Sequence, residues 1–177
     1  MILSGVYLLS LALTPTIATL PIVLENKKKI VEKKLEEPAS ATNTVYIPKI
    51  GVDVEIVEGE DESALLRGAW HRRPENGNPK NGGNFVVSAH RFNLGYTPAG
   101  TLKKSPFYNI DKLEVGDTIT VDYNKKRYDY TINRLYSVQP EQVSIENRTE
   151  ANTLTLYSCT LRGSVARDVV VAYPINQ

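Results

Sequence analysis

The chain has 177 residues, 41% of them hydrophobic and 23% charged, with 21 Lys and Arg against 20 Asp and Glu. That length suits one domain with a real core, and a net charge of +1 argues against a dedicated nucleic-acid binder. A single Cys excludes an internal disulfide, Cys-rich zinc sites, iron–sulfur clusters and CxxC pairs, and two His exclude a three-His zinc site.

Residues 1–24 carry no charged side chain and are rich in Leu, Ile, Val and Ala, with Pro15 and Pro21 inside the run. An apolar stretch of about 20 residues can span a bilayer as a helix, so a single-pass membrane anchor is expected. A cleaved signal peptide and a buried core helix are the alternatives. Lys27, Lys28, Lys29, Lys33 and Lys34 come after the run and no Lys or Arg precedes it. The positive-inside rule would then put the C-terminal domain in the cytoplasm.

Residues 25–43 read as a charged stalk and linker. Lys28/Glu32 and Lys33/Glu37 place opposite charges four residues apart, which favours helix, and Pro38 stops it. Residues 44–177 form the expected folded domain, in which short β-branched and aromatic runs alternate with turn signals. The predicted strands are Thr44–Ile47, Val52–Val57, Asn84–Ala89, Thr118–Tyr123, Arg127–Val138, Thr153–Ser158 and Asp168–Tyr173. Asn76-Gly77, Asn81-Gly82-Gly83, Gly116-Asp117 and Asn124-Lys125 mark turns. Short helices are expected at Ser63–Gly68 and Pro106–Ile110. Many short strands with few helices point to a mainly β fold, a closed barrel or a sandwich.

Three residues at strand edges can carry chemistry. Cys159 ends the run Leu154-Thr155-Leu156-Tyr157-Ser158-Cys159, His90 ends Phe85-Val86-Val87-Ser88-Ala89-His90, and Arg167 precedes Val169-Val170-Val171-Ala172. Each alone is commonly structural: a free Cys is usually a small buried hydrophobe. Together they supply a nucleophile, an acid–base partner near neutrality and a donor for a developing oxyanion. Arg162 is the rival cation. His71, in Trp70-His71-Arg72-Arg73-Pro74, reads as solvent-facing or as lining the mouth of the site.

These segments, in this order, resemble the sortase family of cysteine transpeptidases. Ser88-Ala89-His90-Arg91 resembles its catalytic-His motif. Phe107-Tyr108, then Leu113, Val115-Gly116-Asp117 and Ile119, resembles its short helix and Leu-x-x-Gly-Asp turn. Leu154 to Cys159 resembles the Thr-Leu-x-Thr-Cys strand, with Ser158 in place of the usual Thr. Ile47-Pro48-Lys49-Ile50-Gly51-Val52 resembles the opening strand, and Arg167 the Arg that begins the last one. The resemblance covers roughly residues 44–177, with a short gap between Cys and Arg that leaves the subclass open, class D or E in character.

The resemblance implies a closed eight-stranded β-barrel with one or two short helices after an N-terminal membrane helix. It implies His90, Cys159 and Arg167 as catalytic residues and Ser88, Ala89, Tyr157 and Ser158 as substrate-binding ones. Cys159 would cleave an LPxTG-like sorting signal between Thr and Gly. The thioester would pass to an amine such as a lipid II stem peptide or a pilin Lys, with surface proteins as partners and no cofactor. It further implies a single-pass membrane protein with an extracytoplasmic domain, against the lysine bias above; a mis-assigned start that removed a basic segment would reconcile the two. Residues 139–152 match the loop that walls the signal groove, where Glu141, Glu146 and Glu150 could bind Ca²⁺ as in some members. A sortase-like hydrolase or a membrane-tethered β-barrel binding module with an inert Cys are the alternatives. An L,D-transpeptidase is disfavoured because no Gly precedes Cys159.

Overall fold

Alternation of apolar and polar residues puts one face of each strand in a common interior, and closing the sheet satisfies its edges. The computed structural model describes residues 21–161 and 163–175. Its strands are β1 (Thr44–Ile47), β2 (Val52–Val57), β3 (Ala69–Arg72), β4 (Gly77–Asn78), β5 (Gly82–Ser88), β6 (Thr118–Tyr123), β7 (Lys126–Val138), β8 (Thr153–Thr160) and β9 (Gly163–Pro174). Neighbours run β3-β2-β1-β6-β7-β9-β8-β5, and β5 pairs back onto β3. Eight strands thus close a barrel, with the two-residue β4 appended to β5. Most pairings are antiparallel; β2–β3 and β5–β8 are parallel.

The interior is a single apolar cluster. It includes Val45 and Ile47 of β1, Phe85 and Val87 of β5, Ile119 and Val121 of β6, Ile132 of β7, Leu154 and Leu156 of β8, and Val170 and Ala172 of β9. Burying each such large side chain contributes about 1.5–3 kcal/mol. A second cluster lies outside the barrel wall, where Val86, Val138, Tyr157, Val169 and Val171 pack beneath residues 139–152.

The expected strands are all present, and β3 and the two-residue β4 are additional. The residues of β3, Ala-Trp-His-Arg, lack the β-branched run that marks a strand. They alternate nonetheless: Ala69 joins the barrel core and His71 is buried, while Trp70 is buried in a separate cluster with Val57 and Ala64, the Arg72 guanidinium 4.0 Å over its ring. His71 is therefore neither solvent-facing nor at the mouth of a site. It is buried, with Nδ1 2.7 Å from a Glu58 carboxylate oxygen and Nε2 3.1 Å from the Gly77 carbonyl. Its ring meets the edge of Phe85 at 4.7 Å between centroids.

The expected helix at Ser63–Gly68 is a 3₁₀ turn, Glu62–Leu66, capped by Asp61, which accepts from the Ser63 amide at 2.8 Å. The helix expected at Pro106–Ile110 lies earlier in the chain, at Pro98–Lys104 (α2), with only a 3₁₀ turn at Ile110–Lys112. Thr97 caps α2 by accepting from the Gly100 amide at 3.0 Å, and Pro98 occupies its first turn, where a missing N–H is harmless.

Residues 21–35 form a helix (α1) lying against the barrel. Val31 is buried, and Lys34 pairs with Asp53 of β2 at 2.6 Å. Gly51 adopts φ 65° where α1 crosses; a Cβ there would sit 3.1 Å from that of Lys27. The end of α1 is held by Arg127, whose Nη1 donates to the carbonyls of Leu35 and Glu37 at 2.8 and 2.9 Å. The same guanidinium forks onto the buried Asp122 at 2.8 and 2.9 Å, and Asp122 also accepts from the Ser40 amide. The segment expected as a charged stalk is thus helical, as its charge spacing suggests, and docked against the barrel. The expected membrane anchor, residues 1–24, lies almost wholly outside the described residues. Among the described residues no helix is long and apolar enough to cross a membrane.

Candidate active site

The ladder places three chemical groups in a row. β5 and β8 run parallel with Ser88 opposite Tyr157, so the register carried two residues further sets His90 beside Cys159. On the other flank β9 runs antiparallel, with Cys159 opposite Arg167. Cys159 therefore sits on a central strand with an imidazole on one side and a guanidinium on the other. Arg167 Nη1 lies 3.2 Å from Cys159 Sγ. His90 Nε2 is buried and has no hydrogen-bond partner, so the protein leaves that nitrogen available. Arg162, the rival cation, lies outside the described residues.

All three line a cleft of about 430 Å³ on the outer face of the barrel wall. Its far side is formed by Pro140, Gln142, Val143 and Ile145, its near side by Glu62, Leu65 and Arg72. A cavity of about 800 Å³ opens between α1, β2 and α2, but neither Cys nor His lines it. Size alone does not mark the candidate site.

The four expected substrate contacts divide by the period-2 rule. Ser88 and Tyr157 share the outer face with His90 and Cys159, although both are buried. Ala89 and Ser158, the alternate residues, are buried yet also border the cleft, and the Ser158 hydroxyl is engaged within the protein. That hydroxyl is buried and donates to the Ala89 carbonyl at 2.7 Å, tying the strand of the thiol to that of the imidazole. A hydroxyl at this position joins two strands.

Residues 139–152 are pinned from beneath by Glu146. Its buried carboxylate accepts from Tyr157 Oη at 2.5 Å, Arg72 Nε at 2.9 Å and Arg73 Nε at 3.2 Å. Asn76 donates to the Glu146 carbonyl, and Asn84 donates to those of Ile145 and Asn147. Burial alone would push the Glu146 carboxyl up, but the hydrogen bonds from Tyr157, Arg72 and Arg73 hold it below the usual carboxylate range. Burial, then the facing carboxylate, pushes the Tyr157 phenol well above its usual range. Two guanidinium groups occupy the oxygens a Ca²⁺ ion would need, and Glu141 and Glu150 are exposed. Ca²⁺ binding through Glu146 does not fit. Among the described residues no group of three or more His, Cys, Asp or Glu is arranged to hold a metal ion.

Glu146→Gln keeps the shape but removes the charge that two arginines face. We expect it to destabilise the fold by about 1–3 kcal/mol. Amide hydrogen exchange across residues 139–152 should accelerate while that of β6 stays unchanged. Because the folded carboxyl titrates below its ordinary range, its stabilisation is full above that range and is lost as pH falls through the lowered value. Unchanged exchange in the variant would show that the loop is held by other contacts.

Comparison with known proteins supplies the lineage. The family model described as the sortase domain matches residues 45–175. The sortase SrtE1 of Streptomyces coelicolor is 32% identical over 116 residues, 62% of this chain and 30% of that protein. The chain thus spans under a third of that relative's length. A solved Clostridium perfringens sortase D5 transpeptidase matches at a TM-score of 0.65 and 28% identity, covering 90% of this chain and 99% of that one. Sortase A of Listeria monocytogenes, 21% identical with a TM-score of 0.61 over 76% of this chain and 88% of its own, shares the fold. An eight-stranded barrel of this topology and a family match across nearly all of it lead to one conclusion: the chain belongs to the sortase family.

Proposed function

We propose that the protein is a membrane-anchored cysteine transpeptidase acting on LPxTG-like sorting signals. The observation that carries this reading is the position of Cys159 between His90 and Arg167 on the floor of a cleft. The transpeptidase named in Clostridium perfringens, similar over 90% of this chain, supports it.

Cys159 Sγ attacks the carbonyl carbon of the signal's Thr. Arg167 donates to the oxygen that gains charge. The C–N bond to Gly breaks, and the leaving amine takes its proton from His90. The thioester is then attacked by an acceptor amine, which loses a proton to His90 as the C–S bond breaks and a new amide forms. The acceptor is a primary amine of a peptidoglycan precursor or of a pilin Lys. Residues 1–24 act as the anchor, and the barrel works on the outer side of the membrane. Protease accessibility in intact cells checks that placement; a barrel protected until lysis overturns it.

The reaction is tested with the chain in detergent, a set of Leu-Pro-x-Thr-Gly-like peptides and hydroxylamine, with products read by mass spectrometry. A hydroxamate at the Thr is expected. Only the free acid, even with amine in excess, would indicate a hydrolase; no product from any peptide would leave the barrel as a binding module.

A further inference from the structure

Behind the row of reactive groups lies a buried guanidinium that the chemistry does not touch. Arg91 is 3% exposed. It pairs with Asp168 through Nη1 at 3.0 Å and with Asp111 through Nη2 at 2.7 Å. Asp168 also accepts from Ser137 Oγ at 2.9 Å. Arg91 Nε has no partner. The guanidinium is buried while Asp111 is exposed and Asp168 half-buried, and such a pairing gives little net stability because desolvation of the buried charge offsets the attraction. What it fixes is geometry.

The connectivity indicates which geometry. Arg91 is peptide-bonded to His90, and Asp168 to Arg167. β5 and β9 flank β8 on opposite sides, so the Arg91–Asp168 pair reaches across the strand that bears Cys159. Neighbouring residues of a strand face opposite ways, so Asp168 points away from the cleft that Arg167 lines. His90 needs such a strap. It lies beyond the last ladder pair of β5, and its backbone is held by one 3.2 Å hydrogen bond from the Phe107 amide to its carbonyl.

We propose that Arg91 is a positioning residue: held between Asp111 and Asp168, it fixes the separation of His90 and Arg167 across Cys159. The kinetic part rests on the transpeptidase reading above; the geometric part does not.

The test uses Arg91→Met in the full chain, an apolar replacement of similar length. The chain has two His, so ¹³Cε1-labelled imidazoles give two resonances, assigned with His71→Asn. Thermal unfolding of Arg91→Met is expected to remain cooperative. The His90 resonance moves, the His71 resonance stays, and kcat for hydroxamate formation falls about 10²-fold with KM little changed. A folded Arg91→Met with the wild-type His90 resonance and wild-type kcat overturns the proposal. Should that variant unfold, Asp168→Asn carries the same two readouts. A wild-type chain that makes no hydroxamate sinks the transpeptidase reading, and the positioning role is then judged on the His90 resonance alone.

Discussion

Cys159→Ala yields no hydroxamate from any peptide that the wild-type chain processes, and no acyl-enzyme mass appears. The sulfur is the one group able to form the covalent intermediate, since the chain has no second thiol to replace it. The side chain is only partly buried, so losing it barely disturbs packing and the melting temperature stays close to wild type. Arg167→Ala is milder. It removes a donor 3.2 Å from the sulfur, and losing one such oxyanion donor lowers kcat about 10²–10³-fold. Both are checked by intact-protein mass spectrometry beside steady-state rates. Full acyl-enzyme formation in Cys159→Ala would place the nucleophile elsewhere.

The two histidines separate chemistry from architecture. His90→Ala should lower turnover about 10²–10⁴-fold, the range general acid–base catalysis contributes, with little change in melting temperature. His71→Ala should do the reverse. It empties a buried site against Phe85 and leaves the Gly77 carbonyl without its donor, destabilising the fold by about 2–3 kcal/mol. At temperatures where His71→Ala is folded, its kcat should be near wild type. Rates at low temperature together with thermal melts decide the matter. An active His90→Ala with a folded but inactive His71→Ala would reverse the assignment.

Much of the barrel was legible because period-2 alternation is a local signal. β1, β2 and β6 have the bounds the residues predicted. β3 was not legible, since its pairing with both β2 and β5 is long-range and its residues favour no strand on their own. The shift of the short helix to Pro98–Lys104 has a readable cause, the Thr97-Pro98 start, which the apolar run at Phe107 overshadowed. The reactive row was visible as strand-end residues. The 69-residue spacing of His90 and Cys159 acquires meaning only through the parallel β5–β8 register. Asp111 and Asp168 carried no motif, and Arg91 entered only as the last residue of the Ser88-Ala89-His90-Arg91 segment. The signal of Arg91 is a charge that fails to reach solvent, and burial of that kind is a property of the closed barrel.

The lone thiol also bears on survival under oxidation. A reactive cysteine oxidised to the sulfenic acid is commonly rescued by a neighbouring thiol that condenses with it, before further oxidation makes the loss permanent. This chain contains no such neighbour. Any sulfenate formed at Cys159 lies in an open cleft beside a cation, and its only reductants are thiols that diffuse in from outside. Recovery from peroxide is therefore set by the surroundings, and the protein's working lifetime is tied to the redox state of the medium that bathes the cleft.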